Sequence, residues 1–327
     1  MIIAAHRSLR PWSGDTVVEA DSSALETYQP DCYLCPGNLR AGGERNPDYS
    51  STYVFDNDFP PIGPLSPTAT SGHGVFTATR AQGMARVVCA HPNHSLTLAE
   101  MSAQEIFQVM VVWAEQYREL GARPEIKHVL IFENKGKIVG VSNPHPHSQI
   151  YATNFVMDIT AREVEASSRY LAETGRVLLS DILIQEREDD QRIVAENDTA
   201  IAFVPYFARY TYEVYVAPLT HRCSIAEMTT GELVGLADVL KTVLVKYDNL
   251  FEMPFPYVMA LHQSPTDGEN HDGFYFHIEI HPPLRNPSTL KYLAGAELGG
   301  GNIINPSLPE GKAEELRSAS DIHYKNS

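Results

Sequence analysis

Asn143-Pro144-His145-Pro146-His147-Ser148-Gln149 is the stretch of sequence that decides how this chain folds. Its residues alternate as they would along a strand, and side chains on a strand point alternately to opposite faces. His145, His147 and Gln149 are therefore predicted to share one face. A second strand of this kind, His277-Ile278-Glu279-Ile280-His281, lies near the C-terminus.

The segments that precede these two histidine strands repeat one another. Ala90-His91-Pro92-Asn93-His94 corresponds to Ala217-Pro218-Leu219-Thr220-His221, and His94 lies 127 residues before His221. An Ala-Glu-Met triplet follows each segment at the same 127-residue offset. One matched triplet would be compatible with chance, but a matched triplet, histidine and histidine strand in the same order favour a duplication.

The duplicated unit also predicts its own helices. Ser102 with Glu105, and Thr229 with Glu232, fit the capping box that begins many helices. Apolar residues then recur at helical spacing in both copies: Ile106, Val109, Met110, Trp113 and Tyr117 in the first, and Leu233, Leu236, Leu240, Val243, Leu244 and Tyr247 in the second. Apolar strands are expected at 129–132 and 257–261.

The pattern predicts an α+β fold in which an antiparallel sheet is covered by helices. We expect two halves of similar architecture, residues 1–175 and 176–327. His147 in the first half would have Glu279 as its counterpart in the second, so that one half alone keeps a histidine at that position.

Composition excludes several classes of function. The chain has 327 residues and a formal net charge of −16, with no polybasic segment, which argues against binding nucleic acid. No apolar run reaches the roughly 18 residues of a membrane span, and the first residues do not resemble a signal peptide. With four cysteines, the chain has no disulfide framework, so we expect a cytoplasmic protein. Cys89 and Cys223 are predicted to be ordinary buried thiols.

Cys32-Tyr33-Leu34-Cys35 is a spacing that zinc uses. Two thiolates leave two ligands to be found, and His94 and His145 are the best candidates because each lies at the end of a predicted strand. Four protein ligands would leave no open position, so this zinc would be structural. The alternative is that both cysteines are buried thiols beside the Pro36-Gly37-Asn38 turn.

His147 is the histidine left for chemistry. A neutral imidazole is a competent nucleophile toward phosphorus near pH 7, and Gln149 on the same face could donate to a phosphate oxygen. Arg7 and Arg10 offer the planar donors that suit phosphate, and the loops at 134–136 and 140–143 offer backbone N–H groups. The alternative for His147 is a core or zinc-bound histidine. The alternative for Arg7 and Arg10 is a solvated pair on the surface.

The residues quoted above, together with several further stretches, resemble the galactose-1-phosphate uridylyltransferase family of the histidine-triad superfamily. The matching stretches extend over nearly the whole chain, and the SNPHPHSQ run is highly specific. They are HRSLRPW at 6–12, CYLC at 32–35, VFDNDFP at 54–60, HPNHSLTL at 91–98, FENKG at 132–136, GVSNPHPHSQIYAT at 140–153 and KYLAGAE at 291–297.

The resemblance implies a ping-pong transfer of UMP from UDP-glucose to galactose 1-phosphate through a covalent uridylyl group on His147. Gln149 and Ser142 would hold phosphate oxygens, and family members are usually homodimers with a shared site. The remaining contacts implied by the resemblance are Arg7, Arg10 and Gly140 near the phosphates, Asn57, Asp58 and Asn134 for uridine, and Lys291 and Glu297 for the hexose. It also implies zinc on Cys32, Cys35, His94 and His145.

A second metal, iron or zinc, is implied as well. Its ligands would be Glu163, His262 and His277, with Glu279 in the place of the family's last histidine ligand. A carboxylate can still bind either metal. Glu163 has a second interpretation, because Thr160 and Glu163 themselves fit a capping box.

Two rival functions fit part of this pattern. A sibling sugar-1-phosphate adenylyltransferase or ADP-glucose phosphorylase would share the zinc and the His147 chemistry but hold adenine, whereas the Asn57-Asp58-Phe59 run favours uridine. A nucleotide-binding protein without turnover, or a zinc-dependent scaffold, would leave the intact histidine strand or the two arginines unexplained.

Overall fold

Among the residues that the structure describes, nine strands form one antiparallel sheet. The computed structural model describes residues 26–63, 67, 74–291, 293 and 295–326. The strands are β1 Tyr53–Asp56, β2 Gly83–Cys89, β3 His128–Lys135, β4 His147–Thr153, β5 Ile193–Glu196, β6 Ala200–Phe203, β7 Val214–Pro218, β8 Tyr257–His262 and β9 His277–His281. A separate hairpin joins β10 Leu284–Asn286 to β11 Thr289–Leu290.

The order of the strands shows how the two histidine strands are related. Across the sheet the order is β1-β2-β4-β3-β8-β9-β7-β6-β5. The strands β2-β4-β3 of the first part are followed by the equivalent strands of the second part in reverse order, β8-β9-β7. The two sets meet where β3 pairs with β8, from Ile131 opposite Leu261 to Lys135 opposite Tyr257. Each histidine strand is therefore the middle strand of its own three, and both belong to one continuous sheet.

Two long helices cover one face of this sheet. α1 Ala103–Gly121 and α4 Thr230–Phe251 each begin with a complete capping box, at Ser102 and Thr229 as predicted. Every residue of the two predicted apolar stripes is buried. These stripes pack with the inward-facing residues of the central strands into the main core, so the period of the sequence correctly predicted which helical faces are buried.

The other face of the sheet carries smaller clusters and shorter helices. These helices are α2 Asp158–Thr174 and α3 Leu178–Asp189. α6 Pro309–Ser318 instead packs against α4, with Ala313 and Leu316 in the main core. A further short helix, α5, spans Gly295–Gly300. Cys32, Leu34, Cys35 and Tyr49 pack against β1 and β2 at one end. At the other end, α3 places Leu179 and Leu183 on Phe203 and Tyr215. The candidate site lies on this face, where the long helices do not cover the sheet.

Three local predictions were wrong. Thr160 does not cap a helix, because α2 begins at Asp158 after Met157 and Thr160 is buried inside it. Asn134 and Lys135 belong to strand β3 rather than to a loop, since their backbones pair with β8. Cys89 is buried as predicted, whereas Cys223 is only half-buried.

The division of the chain at 175/176 stays a proposal. α2 belongs to the predicted N-terminal half, yet its Glu163 contacts His262 on β8 of the second half. Among the residues that the model describes, no helix has the length and apolar character needed to cross a bilayer.

Candidate active site and metal centres

Cys32, Cys35, His94 and His145 converge on one buried point. Their ligand atoms all lie within 4.8 Å of one another. The Cys35 Sγ is 3.6 Å from the Nδ1 atoms of both His94 and His145. A tetrahedral zinc with Zn–S of about 2.3 Å and Zn–N of about 2.0 Å places sulfur and nitrogen about 3.6 Å apart. The spacing of the side chains therefore fits zinc, and this buried Cys/His cluster can bind a metal ion.

Neighbouring groups orient these ligands. The Tyr49 hydroxyl donates to the Leu34 carbonyl oxygen at 2.5 Å and lies 3.0 Å from His145 Nε2. Since its hydrogen is used by Leu34, the hydroxyl accepts from Nε2–H, which leaves the His145 Nδ1 lone pair toward the cluster. The Asn143 side chain donates to the Cys32 Sγ at 3.3 Å and accepts from the His145 N–H at 3.0 Å.

The electrostatics of the cluster favour neutral imidazoles. Burial lowers the pKa of His145 to about 3, with further lowering from His94 and His147, and burial also lowers the pKa of His94. Burial raises the pKa of the Cys35 thiol to about 11. A metal would displace the thiol protons and accept the imidazole lone pairs without any histidine having to lose a proton near neutral pH.

His147 is the first residue of β4 and is held by its own chain. Pro146 lacks an N–H group, so the ladder with β2 begins at His147, which pairs with Cys89. The His147 Nδ1 lies 2.7 Å from the His145 carbonyl oxygen. Because a carbonyl can only accept, Nδ1 carries the proton and Nε2 carries the lone pair.

A cavity of about 190 Å³ opens beside this ring. His147, Gln149 and Tyr151 line it from alternate positions of β4, so His147 and Gln149 share one face as predicted. His145 was predicted on the same face, but it lies before β4 and its side chain belongs to the buried Cys/His cluster. The other described lining residues are Phe132 and Asn134 of β3, and Gly140, Val141 and Ser142 of the following loop. Apart from His147, none of these described residues is acidic or basic, so a bound phosphate would need its countercharge from elsewhere.

The remaining predicted substrate contacts are not all placed at this cavity. Arg7 and Arg10 lie outside the described residues. Asp58 accepts from the Gly42 N–H at 3.0 Å and pairs with Arg40 at 3.5 Å, and the Asn57 side chain accepts from the Phe59 N–H at 2.9 Å.

Neither Asn57 nor Asp58 is among the described lining residues of the cavity. Lys291 and Glu297, predicted for the hexose, pair with each other at 3.5 Å in the C-terminal part of the chain. Their assignment to substrate stays a proposal.

The sequence did not single out several residues that shape this site. The Trp113 Nε1 of α1 donates to the Ser148 Oγ at 2.8 Å, directly behind the strand that carries His147 and Gln149. The Tyr33 hydroxyl lies 3.4 Å from the Ser142 Oγ and so connects the cysteine loop to the cavity. Period-two alternation from His147 would have found Tyr151, but no sequence signal pointed to Trp113 or Tyr33 as neighbours of the site.

Glu163, His262, His277 and Glu279 form a second cluster, with ligand atoms within 4.8 Å of one another. The His262 Nε2 is 3.3 Å and the His277 Nε2 is 3.4 Å from Glu279 oxygens. Ligands about 2.1 Å from a tetrahedral ion lie about 3.4 Å apart, so the donor set fits a divalent metal. The His277 Nδ1 donates to the Tyr275 carbonyl oxygen at 2.8 Å, which leaves the Nε2 lone pair toward the cluster.

Glu279 also contacts a cation of the protein itself. Its Oε2 is 2.6 Å from the Arg209 Nη2 and 3.0 Å from the His281 Nε2. Burial alone would raise the pKa of the Glu279 carboxyl, but the adjacent His262, His277 and His281 hold that pKa well below its usual range. Glu279 is therefore an anion in the folded protein.

The fold and the site together define a class of α+β protein in which two runs of strands and helices share one sheet and one histidine strand faces a small polar cavity. Comparison with known proteins identifies the family. The model of the galactose-1-phosphate uridyl transferase N-terminal domain matches residues 1–157, and that of the C-terminal domain matches residues 163–327. The chain belongs to the galactose-1-phosphate uridylyltransferase family.

Individual relatives agree over nearly the full chain. The chain is 41% identical to the galactose-1-phosphate uridylyltransferase of Haemophilus influenzae, with 99% of this chain and 93% of that protein covered. It is 38% identical to the enzyme of Rattus norvegicus, with 99% of this chain and 86% of that protein covered. A solved uridylyltransferase structure has a TM-score of 0.81 at 30% identity, with coverage of 89% of this chain and 92% of that chain.

An ADP-glucose phosphorylase from Arabidopsis thaliana with bound ADP-glucose shares the fold. Its TM-score is 0.74 at 21% identity, and the alignment covers 96% of this chain and 93% of that one. At this identity the likeness is one of fold alone, and it does not separate the two base preferences.

Proposed function

We propose that this protein transfers UMP between UDP-glucose and galactose 1-phosphate, with His147 as the nucleophile of a ping-pong reaction. The activity is that of the full-length relatives to which the chain is similar. The observation that carries the proposal is the 2.7 Å contact between His147 Nδ1 and the His145 carbonyl oxygen. That contact fixes the ring in the tautomer whose Nε2 is nucleophilic.

In the first half-reaction the Nε2 lone pair attacks the α-phosphorus of UDP-glucose. The bond from that phosphorus to the bridging oxygen breaks, and glucose 1-phosphate leaves with the electron pair. The proton stays on Nδ1, where the His145 carbonyl stabilises the positive charge that develops on the ring. In the second half-reaction a phosphate oxygen of galactose 1-phosphate attacks the same phosphorus, the P–N bond breaks, and neutral His147 returns.

Groups around the cavity can hold the transferred phosphate. We assign Gln149 and Ser142 to its oxygens, because both line the cavity with His147. Asn134 and Gly140 line the same cavity and are proposed to contact the nucleotide. Arg7 and Arg10 are proposed to neutralise the phosphates, since the described lining residues supply no basic side chain.

The covalent intermediate is tested by mass spectrometry. Incubation of the protein with UDP-glucose should add the mass of one uridylyl group in an acid-labile form, and His147→Ala should abolish that addition. His271→Ala is the control, because His271 is a part-buried imidazole bonded to Asp267 in a loop of the second half. An unmodified wild-type protein would count against nucleophilic catalysis and would favour a binding protein without turnover.

The base preference needs a separate experiment. Single-turnover labelling with UDP-glucose and with ADP-glucose should favour the uridine donor strongly, and galactose 1-phosphate should remove the label where inorganic phosphate does not. Preference for ADP-glucose with release by phosphate would assign the chain to the phosphorylase reaction and leave the role of His147 unchanged.

We propose that the Cys32, Cys35, His94 and His145 cluster holds structural zinc. The ion would fasten the cysteine loop to His145, two residues before β4 begins, and it supplies no step of the reaction. Glu163, His262, His277 and Glu279 are proposed to hold a second divalent ion, iron or zinc, also outside the reaction.

We further propose a homodimer in which Arg7 and Arg10 of one chain serve the site of the other. Mixing an Arg7→Ala, Arg10→Ala variant with a His147→Ala variant should then restore part of the lost activity. Absence of complementation in a mixture shown to contain heterodimers would place the arginines in the same chain's site.

A further inference from the structure

The second metal cluster contains a permanent positive charge supplied by the protein. The Arg209 guanidinium is 2.6 Å from the Glu279 Oε2 and 2.9 Å from the Glu213 Oε1. Its backbone N–H also donates to Glu213, as does that of Tyr210. Arg209 therefore joins Glu279 of β9 and Glu213, which directly precedes β7, into one network with the loop that carries Arg209 itself.

The burial of these carboxylates makes that charge important. The side chains of Glu213 and Glu279 are 1% and 3% exposed, and an ionised carboxylate in such a place requires a compensating partner. The His281 ring lies between them, with Nδ1 3.2 Å from Glu213 and Nε2 3.0 Å from Glu279. A guanidinium suits this position because its planar fork can serve two acceptors at once.

Glu279 brings a second carboxylate into the cluster. It stands on β9 opposite Tyr215 of β7, and it joins Glu163 among the ligand candidates. One negative charge reaches the cluster through Glu279, and one positive charge reaches the same carboxylate through Arg209.

We propose that Arg209 shares the charge-balancing role of the second metal ion, so that the ion is not required for folding. The guanidinium neutralises Glu279, so the cluster folds without a metal, and a divalent ion binds there more weakly than it would without Arg209. The ion and the guanidinium are alternative sources of positive charge for the same carboxylate. This inference does not depend on the transferase reaction.

Manganese is the probe that isolates this cluster. Mn²⁺ prefers carboxylate and imidazole ligands to thiolates, so it leaves a zinc-loaded Cys32–Cys35 centre alone. Free Mn²⁺ is measured by its electron paramagnetic resonance signal during titration of the full chain, and the thermal unfolding midpoint is recorded with and without Mn²⁺.

Arg209→Met should bind Mn²⁺ at least about tenfold more tightly than the wild type, because a unit charge a few Å from the ligands has been removed. Without Mn²⁺ the variant should unfold at a lower temperature than the wild type. Mn²⁺ should raise the unfolding midpoint of the variant by more than it raises that of the wild type. Equal or weaker Mn²⁺ binding by the variant would overturn the proposal. So would a wild-type midpoint that depends on Mn²⁺ as strongly as the midpoint of the variant.

Three controls separate charge from general damage. Arg209→Lys keeps the charge and should behave like the wild type toward Mn²⁺. Arg187→Met removes a partly exposed arginine that pairs with Glu196 at 2.8 Å outside the cluster, and it should leave Mn²⁺ binding unchanged. If Arg209→Met does not fold under either condition, Arg209→Met combined with Glu213→Gln and Glu279→Gln should fold, because both anions are removed with their shared partner. Failure of that triple variant to fold would overturn the proposal.

Discussion

The Nδ1 of His147 lies 2.7 Å from the backbone carbonyl oxygen of His145, whose own Nδ1 lies 3.6 Å from the Cys35 Sγ. The orientation of the proposed nucleophile is therefore set by the backbone of a residue whose side chain belongs to the Cys/His cluster. Any change that releases His145 from this cluster should also release the carbonyl that holds His147.

Removal of a cysteine ligand tests this connection. Cys35→Ser should lose the tightly bound zinc and several kcal/mol of folding free energy, because a structural zinc site contributes folding energy directly. Uridylyl labelling of His147 should fall with the zinc content. Elemental analysis, thermal unfolding and labelling are the measurements.

Cys89→Ser is the matched control for that experiment. Cys89 is a fully buried thiol in the same apolar cluster as Cys32 and Cys35, but it is not part of the ligand set. This variant should keep its zinc. If Cys35→Ser also kept a full equivalent of zinc, the proposed ligand set would be wrong.

Gln149 offers a test of phosphate stabilisation. Its Oε1 accepts from the Tyr151 hydroxyl at 3.5 Å, so the NH₂ end of the amide is available as a donor. Gln149→Ala should slow labelling of His147 by about 10²–10³-fold, as loss of a preorganised donor does in comparable sites. Rapid-quench labelling measures the rate, and unchanged zinc content verifies the fold. A rate within a factor of two of wild type would remove Gln149 from the reaction.

The contact behind the histidine strand should appear in stability. Trp113 donates to Ser148 at 2.8 Å inside the core, so loss of either partner leaves a buried polar group without its bond. Ser148→Ala and Trp113→Phe should each cost about 1–3 kcal/mol, and the double variant should cost less than their sum by about 1 kcal/mol. Urea unfolding of the wild type, the two single variants and the double variant measures this difference as a double-mutant cycle. If the two single losses simply added, the hydrogen bond would contribute no coupling energy.

Glu133 should make the stability of the protein depend on pH. Burial raises the pKa of this carboxyl to about 7, although Lys135 and the Tyr257 hydroxyl partly oppose the shift. The folded state then holds its proton up to about pH 7, whereas the unfolded state loses it near about pH 4.3. The contribution of Glu133 to wild-type stability is therefore highest below about pH 4.3. It falls as the pH rises from there to about pH 7, and it is constant above that pH.

Glu133→Gln removes this dependence because an amide cannot ionise. Between about pH 5.5 and pH 8 the free energy of unfolding of the variant should rise by about 2 kcal/mol relative to that of the wild type. Urea unfolding at the two pH values measures the difference. A constant difference would mean that Glu133 titrates at an ordinary pKa.

Periodic features of the sequence predicted the corresponding parts of the structure. The helical stripes, both capping boxes and the second histidine strand depend on contacts a few residues apart, and each was found where the pattern placed it. The first histidine strand was predicted from the run at 143–149 but spans His147–Thr153. The mistaken capping box at Thr160 shows the limit of such a pattern, since a three-residue spacing also occurs inside a helix. The assignment of Asn134 and Lys135 to a loop failed because the pairing of β3 with β8 extends the strand beyond its apolar run.

By itself the sequence determined the local elements, the candidate ligand set of Cys32, Cys35, His94 and His145, and the choice of His147, because residue type and spacing along one strand carry that information. The tertiary structure alone decided that Trp113 supports Ser148, that Tyr33 reaches Ser142 and that Arg209 neutralises Glu279. These pairs are separated along the chain or lie on different elements, and only the closed sheet with its packed helices brings their polar atoms within bonding distance.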